Sequence, residues 1–92
     1  MTTKPLEKTE QKQKLYDPYK VLLHNDDKNS TDHVVEALLK SVSQLSQNEA
    51  VEIMTEAHHA GVALVLTCPL EHAEMYRDRL RSFGLVASIE RS

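Results

Sequence analysis

Cysteine, glycine and proline are scarce in this chain of 92 residues, and each shortage excludes a class of protein. A single cysteine, Cys68, excludes both an intramolecular disulfide and a metal site built from several cysteines. Two glycines and three prolines fit a compact globular chain of at most one domain. No apolar run approaches the length of a membrane span, and the N-terminus lacks the apolar core of a signal peptide. We therefore expect a cytoplasmic domain that does not enter a membrane.

Positive charge is in short supply outside the N-terminal segment. Residues 1–17 hold four lysines against three acidic side chains, whereas residues 18–92 hold 7 basic and 11 acidic side chains. This acidic body argues against nucleic-acid binding, which needs a cationic face. Residues 1–17 are rich in lysine and glutamine and have little to bury, so we predict a flexible extension there and a folded domain over residues 18–92.

The spacing of apolar residues predicts the order strand, helix, helix, strand, helix, strand. The predicted elements are a strand over 19–24, helices beginning at Thr31 and after Ser46, a strand over 62–67, a helix with Pro69 in its first turn, and a strand over 85–89. The uninterrupted apolar run 62–67 is typical of a central strand. This order predicts an α+β fold, in which three helices pack on one face of a small antiparallel three-stranded sheet.

A polar turn follows the first strand, at Asn25, Asp26 and Asp27. Short polar side chains of this kind often bond their own backbone in turns, which is one interpretation. A calcium loop is excluded, because Asp32 stands where such a loop needs glycine. Two adjacent carboxylates also suit acid–base catalysis, but no nucleophile or electrophilic stabiliser lies nearby in the sequence.

The second helix carries Met54 and His58 on one face, with Ala57 beside them. A histidine on such a face is most often a boundary residue of the core. His58 and His59 point about 100° apart on a helix, which disfavours joint metal chelation. Zinc needs at least three converging protein ligands, and the spacing here does not supply them. We therefore predict no metal site and no cofactor.

Together, these two segments resemble the ClpS family of adaptors for Clp proteases. The stretch Tyr19 to Asp27 is similar to the family signature YKVxLxNDD. The resemblance covers residues 18–92, and its other matching positions are Asp32 to Leu38, Glu49 and Ala50, Ile53 and Met54, His58, Gly61, Gly84 and Leu85, and Ile89 and Glu90.

The resemblance implies an adaptor with no catalytic residues, which binds the first residue of N-degron proteins and delivers them to a Clp ATPase–protease. By position, it implies that Asn25, Asp26 and His58 hold the α-amino group of the substrate. The chemistry agrees, because an α-ammonium has three donors and a positive charge, which suit a carboxylate, an amide oxygen and an imidazole nitrogen.

A neighbouring pocket for the first side chain of the substrate is also implied by the resemblance. Its positions in this chain are Asn29, Thr31, Val34, Met54, Ala57 and Leu85. Asn29 and Thr31 stand where the family often has threonine and methionine, and Ala57 stands where valine is common. Since threonine is shorter than methionine, we predict a roomier and more polar rim.

The expected partners are the N-terminal domain of a Clp AAA+ unfoldase of the ClpA or ClpC type and proteins that carry N-degrons. We expect a monomer whose N-terminal extension assists the transfer of cargo. Two alternatives remain at this point. One is a small structural domain associated with the ribosome or with another assembly, since a fold does not settle a function. The other is a metal-dependent enzyme that uses Asp26, Asp27 and His58.

Overall fold

The computed structural model describes residues 17–92, so the predicted extension lies outside the described residues except for Asp17. The elements are β1 (Pro18–His24), α1 (Thr31–Ser41), α2 (Gln47–Ala60), β2 (Val62–Pro69), α3 (Leu70–Ser82) and β3 (Val86–Arg91). This order and the three-stranded antiparallel sheet confirm the predicted α+β fold. None of the described helices combines the length and the apolar character that crossing a membrane requires.

The first strand, β1, lies at the centre of the sheet, whose strand order is β2-β1-β3. Val21 of β1 is aligned with Leu66 of β2 on one side and with Ile89 of β3 on the other. The expectation that the apolar run 62–67 forms the central strand is therefore wrong. That run lies at an edge, and Leu64 within it is 45% exposed. Although the run is continuously apolar, its side chains are buried on only one face of the sheet.

The core lies between the sheet and the three helices. Val21 and Leu23 alternate with half-buried neighbours along β1, so their side chains point to one face and are buried there. Leu38 of α1, Ala50 of α2 and Leu80 of α3 are fully buried in the same cluster. Burying a leucine side chain contributes about 1.5–3 kcal/mol, so these contacts hold the helices on the sheet.

Local capping fixes the ends of α2. Ser46 Oγ accepts a hydrogen bond from the backbone N–H of Glu49, and the Glu49 carboxylate accepts one from the backbone N–H of Ser46. This is the predicted capping box. At the other end, Gly61 has a φ of 89°, a left-handed conformation that suits glycine, and its N–H donates to Ala57 O. Both ends of α2 therefore follow from the sequence.

Several predicted boundaries differ by one or two residues, since β1 begins at Pro18, β2 continues to Pro69 and β3 spans Val86–Arg91. Pro69 is the last residue of β2 and the N-cap of α3, rather than part of the first turn of the helix, because β2 pairs with β1 as far as Pro18. The last strand begins at Val86, because the N–H of Leu85 still bonds to Leu80 O at the end of α3.

Candidate functional site

A cavity of about 340 Å³ opens where β1 ends, between the polar turn and the helices α1 and α2. Its lining residues are Leu23, His24, Asn25, Asp26, Asp27, Asn29, Ser30, Thr31, Val34, Met54, Ala57 and His58. The structure thus brings together every predicted site residue except Leu85. Segments that are distant in the sequence meet here, because β1 leads into a turn whose Asn25 N–H bonds to Gly61 O at the end of α2.

The carboxylate of Asp26 organises the turn. Its Oδ1 accepts hydrogen bonds from the backbone N–H groups of Lys28 and Asn29, both at 2.8 Å. The Asn29 side-chain amide lies 3.1 Å from Oδ1 and 3.0 Å from Oδ2. Partial burial opposes ionisation, but these hydrogen bonds outweigh it, so the pKa of Asp26 lies below its ordinary value of 3.8. Asp26 therefore presents a negative charge at neutral pH.

Hydrogen bonds to both neighbouring connections hold the turn in place. The backbone N–H of Asn25 donates to Gly61 O at 2.9 Å, where α2 ends. On the other side, Asn29 Nδ2 donates to Gly84 O at 2.9 Å. His33 Nε2 lies 2.7 Å from Phe83 O and donates to it, because a carbonyl oxygen only accepts. The turn is therefore bonded both to the end of α2 and to the connection between α3 and β3.

His58 lies in the last turn of α2, next to the buried Ala57. Its side chain is exposed and lines the cavity, so the ring is accessible to a ligand. The ring of His59 meets it edge-on, with centroids 5.3 Å apart. His58 and the polar turn thus line the same cavity, and a role of His58 in holding an α-amino group stays a prediction.

We call Asn25, Asp26, Asp27 and His58 the polar half of the cavity lining. The apolar half is a wall of apolar side chains. Val34 of α1 and Met54 and Ala57 of α2 form this wall, and Leu23 of β1 adds to it. Thr31 begins α1, is exposed and also lines the cavity, and its predicted place at the rim stays a prediction. A methionine wall is flexible and polarizable, which lets it adapt to side chains of different shape.

Met54 also borders a second, more open depression between α1 and α2, whose other lining residues are Asp32, Val35, Glu36, Leu39, Gln47 and Val51. Met54 is therefore shared by the two concave surfaces.

Leu85 occupies a different place from the other predicted pocket residues. It is 4% exposed and belongs to the hydrophobic core, outside the residues that line the cavity. Its role in side-chain recognition stays a prediction.

His24 is a lining residue that the sequence reasoning did not single out. Its Nε2 lies 2.7 Å from Ser88 Oγ of β3. The sequence feature that could have identified His24 is its position at the end of the first strand, directly before Asn25.

The charge of the cavity favours a cationic ligand. Its described lining residues include two carboxylates, those of Asp26 and Asp27, and neither lysine nor arginine. Within residues 17–92, no three histidine, cysteine, aspartate or glutamate side chains are grouped to hold a metal ion. A negative polar half beside an apolar half suits a ligand that has a cationic head and an apolar side chain.

Comparisons with known proteins agree with this geometry. The sequence model of the family described as "ATP-dependent Clp protease adaptor protein ClpS" matches residues 14–88. A ClpS adapter protein of Synechococcus elongatus is 50% identical over 82 residues, which are 89% of this chain and 86% of that protein. A chloroplastic ClpS adapter of Chlamydomonas reinhardtii is 48% identical over 97% of this chain and 55% of its own length.

A solved structure is also similar. Agrobacterium tumefaciens ClpS2 bound to L-phenylalaninamide superposes with a TM-score of 0.78 at 27% identity, over 83% of this chain and 98% of that one. The relatives are named adapters, which favours a binding role over the ribosome-associated and metal-enzyme alternatives. Since one relative is chloroplastic, a cytoplasmic location stays a prediction. On the match to the family model and these identities, the chain belongs to the ClpS family of Clp protease adaptors.

Proposed function

We propose that this chain binds the free N-terminus of proteins that begin with a bulky apolar residue and delivers them to a Clp ATPase–protease. The observation that carries the proposal is that one cavity is lined both by carboxylate, amide and imidazole side chains and by apolar side chains. The chain itself performs no chemical step in this proposal.

The polar half suits an α-ammonium group. Asp26 offers an ionised carboxylate, and Asn25 and His58 lie along the same cavity with an amide oxygen and an imidazole nitrogen. Three acceptors match the three N–H donors of an ammonium, and charge-assisted hydrogen bonds are the stronger kind. An internal lysine is less suitable, because its ammonium ends an unbranched chain and has no separate side chain on the adjacent carbon to fill the apolar half.

The apolar half suits the first side chain of the substrate. Val34, Met54 and Ala57 line it, and the whole cavity of about 340 Å³ is small, near the lower end of the range for small-molecule sites. This volume fits one large side chain with its amino group. The Agrobacterium relative was solved with L-phenylalaninamide, which is an aromatic residue with a free α-amino group. That ligand supports the same chemistry in this chain.

Delivery is the second half of the proposal. The family description names an ATP-dependent Clp protease. We take the partner to be the N-terminal domain of a ClpA- or ClpC-type unfoldase in the cytoplasm. A monomer would bind it through a surface other than the cavity, so that cargo and partner are held at the same time. Residues 1–17 would assist the transfer.

The direct test uses two peptides of identical sequence that begin with phenylalanine, one with a free N-terminus and one N-acetylated. Acetylation removes the charge and adds bulk. Because charge-assisted hydrogen bonds contribute about 1.5–3 kcal/mol, we expect affinity to fall by about ten- to a hundredfold. A free-amine peptide that begins with serine is the matched control for the apolar half. Equal affinity for the free and acetylated peptides contradicts the proposal.

Delivery needs its own assay. A fluorescent protein that begins with phenylalanine is incubated with the Clp ATPase–protease, with and without this chain. We expect degradation to depend on the chain and to be inhibited by the free phenylalanine peptide but not by the acetylated one. Degradation that is indifferent to the chain contradicts delivery, even if peptide binding is confirmed.

A further inference from the structure

The side-chain amide of Asn29 contacts two separate parts of the molecule. Nδ2 lies 3.1 Å from Asp26 Oδ1, 3.0 Å from Asp26 Oδ2 and 2.9 Å from Gly84 O. An amide NH2 has two hydrogens. One can therefore be shared by the two carboxylate oxygens while the other is donated to the carbonyl. Asn29 bridges the Asp26 carboxylate to the connection between α3 and β3.

The two oxygens of Asp26 are used unequally. Oδ1 is contacted by three N–H donors, two from the backbone and one from Asn29. Oδ2 is contacted by Nδ2 of Asn29 at 3.0 Å. A carboxylate oxygen has about two lone-pair sites, so Oδ1 is saturated within the turn and Oδ2 keeps capacity for a further donor.

We infer that Asn29 is a positioning residue for the recognition of the N-terminal amine, which holds Asp26 so that Oδ2 accepts from the ammonium of the ligand. In this role it does not serve as a wall of the side-chain pocket. The inference rests on the proposed function, and it adds the atom that receives the amine and the residue that orients it.

Gly84, whose carbonyl accepts from Asn29, is held by the residues on either side of it. Gly84 adopts a φ of 83° and is followed by Leu85, which is 4% exposed in the core. The neighbouring carbonyl, Phe83 O, accepts a hydrogen bond from His33 of α1. The His33 bond ties α1 to the same connection without touching Asp26. It therefore offers a matched control, because its loss loosens the attachment but leaves the carboxylate unchanged.

The lowered pKa of Asp26 agrees with this geometry, since hydrogen bonds from Asn29 are among its causes. The other charged or titratable groups near this carboxylate are Lys28, which follows it in the turn, and Asp27, His24 and His58, which line the cavity.

The test compares Asn29→Leu, Asn29→Thr and His33→Leu with the unaltered chain. Leucine keeps the approximate size of asparagine and removes both donors. Threonine supplies one hydroxyl donor, which can bond to Asp26 or to Gly84 O but not to both. The first readout is the pKa of Asp26, followed without peptide by the ¹³C NMR shift of its carboxyl carbon. The second is the ratio of affinities for free-amine and N-acetylated phenylalanine peptides, from fluorescence anisotropy.

We expect Asn29→Leu to raise the pKa of Asp26 and to reduce the affinity ratio by about tenfold, which corresponds to the loss of one charge-assisted contact. Asn29→Thr should restore part of both. His33→Leu should leave the pKa of Asp26 in place and change the ratio less than twofold. An unchanged pKa or an unchanged ratio in Asn29→Leu overturns the inference. Failure of the proposed function gives a different result. The unaltered chain then binds the free and acetylated peptides equally, while Asn29→Leu still raises the pKa of Asp26.

Discussion

The two halves of the cavity are built in different ways. Most of the polar half comes from one short segment, in which Asp26 bonds to groups two and three residues further along the chain, and His58 of α2 completes it. The apolar half joins Val34 of α1 to Met54 of α2, twenty positions apart, and depends on the packing of both helices. A local motif thus supplies most of one half, and tertiary structure defines the other.

This difference separates the roles that the two halves have in the proposed function. The polar half contacts what every free N-terminus shares, so changes there should alter affinity for all cognate peptides alike. The apolar half contacts what distinguishes one N-terminus from another, so changes there should alter the order of preference. Substitutions in each half, with controls from the same element, test this separation.

The largest effect is expected for Asp26→Ala. Removing this carboxylate should weaken binding of all free-amine peptides by about ten- to a hundredfold, because the charge-assisted contact is lost. It should also lower the thermal midpoint, since two backbone N–H groups lose their acceptor, at a cost of about 1 kcal/mol or less in this exposed turn. Peptide titrations and thermal unfolding at pH 7 measure both effects.

Asp27→Ala is the matched control, because the carboxylate of Asp27 is exposed, follows Asp26 in the sequence and lines the same cavity. A larger loss of affinity in Asp27→Ala than in Asp26→Ala would mean that Asp27, and not Asp26, binds the amine. The pH dependence provides a second check. Because the folded pKa of Asp26 lies below 3.8, its stabilising contribution is present at neutral pH and is lost as the pH falls through that lower value. The stability difference between Asp26→Ala and the unaltered chain should therefore narrow in acid.

A smaller and selective effect is expected for Met54→Ala. The substitution removes apolar surface from the wall of the cavity. At about 25 cal/mol per Å², the loss should be about 1 kcal/mol for a phenylalanine peptide, or five- to tenfold in affinity. Peptides that begin with small residues should change little. Titration of peptides that begin with phenylalanine, leucine and alanine measures the order of preference.

Val51→Ala is the control on the same helix, because Val51 is 39% exposed and lines only the second depression among the cavities described. If Val51→Ala weakens phenylalanine binding as much as Met54→Ala does, the second depression takes part in recognition. The division of the site into two halves is then incomplete.

The fold was largely predictable because its signals are local. The capping box at Ser46 and Glu49 and the left-handed stop at Gly61 are set by neighbouring residues, and the structure has both. Strand order was not predictable in this way. The exposed Leu64 shows why, since its apolar neighbours match those of a buried strand, and only the pairing of β1 with both other strands reveals the edge.

The cavity shows the same limit. The positions near the Asn-Asp turn and on α2 were identified through a family resemblance, and the structure brings them together. The bridge from Asn29 to Gly84 O spans 55 positions, and no spacing rule in the sequence indicates it. The burial of Leu85 in the core likewise depends on how α3 and β3 meet, which is a property of the packed structure.

The smallest effect is expected at the predicted rim, where Thr31 begins α1 and is exposed. Methionine there would cover more of the bound side chain. Thr31→Met should therefore raise the affinity for peptides that begin with leucine severalfold, which is about 1 kcal/mol at most. The same bulk should crowd side chains that branch next to the backbone, so isoleucine and valine peptides should bind more weakly. Fluorescence anisotropy with leucine, phenylalanine, isoleucine and valine peptides measures these changes, and Thr31→Ser is the control that keeps the hydroxyl without adding bulk. A uniform shift across all four peptides would mean that Thr31 does not contact the first side chain. Selectivity would then come from Val34, Met54 and Ala57 alone.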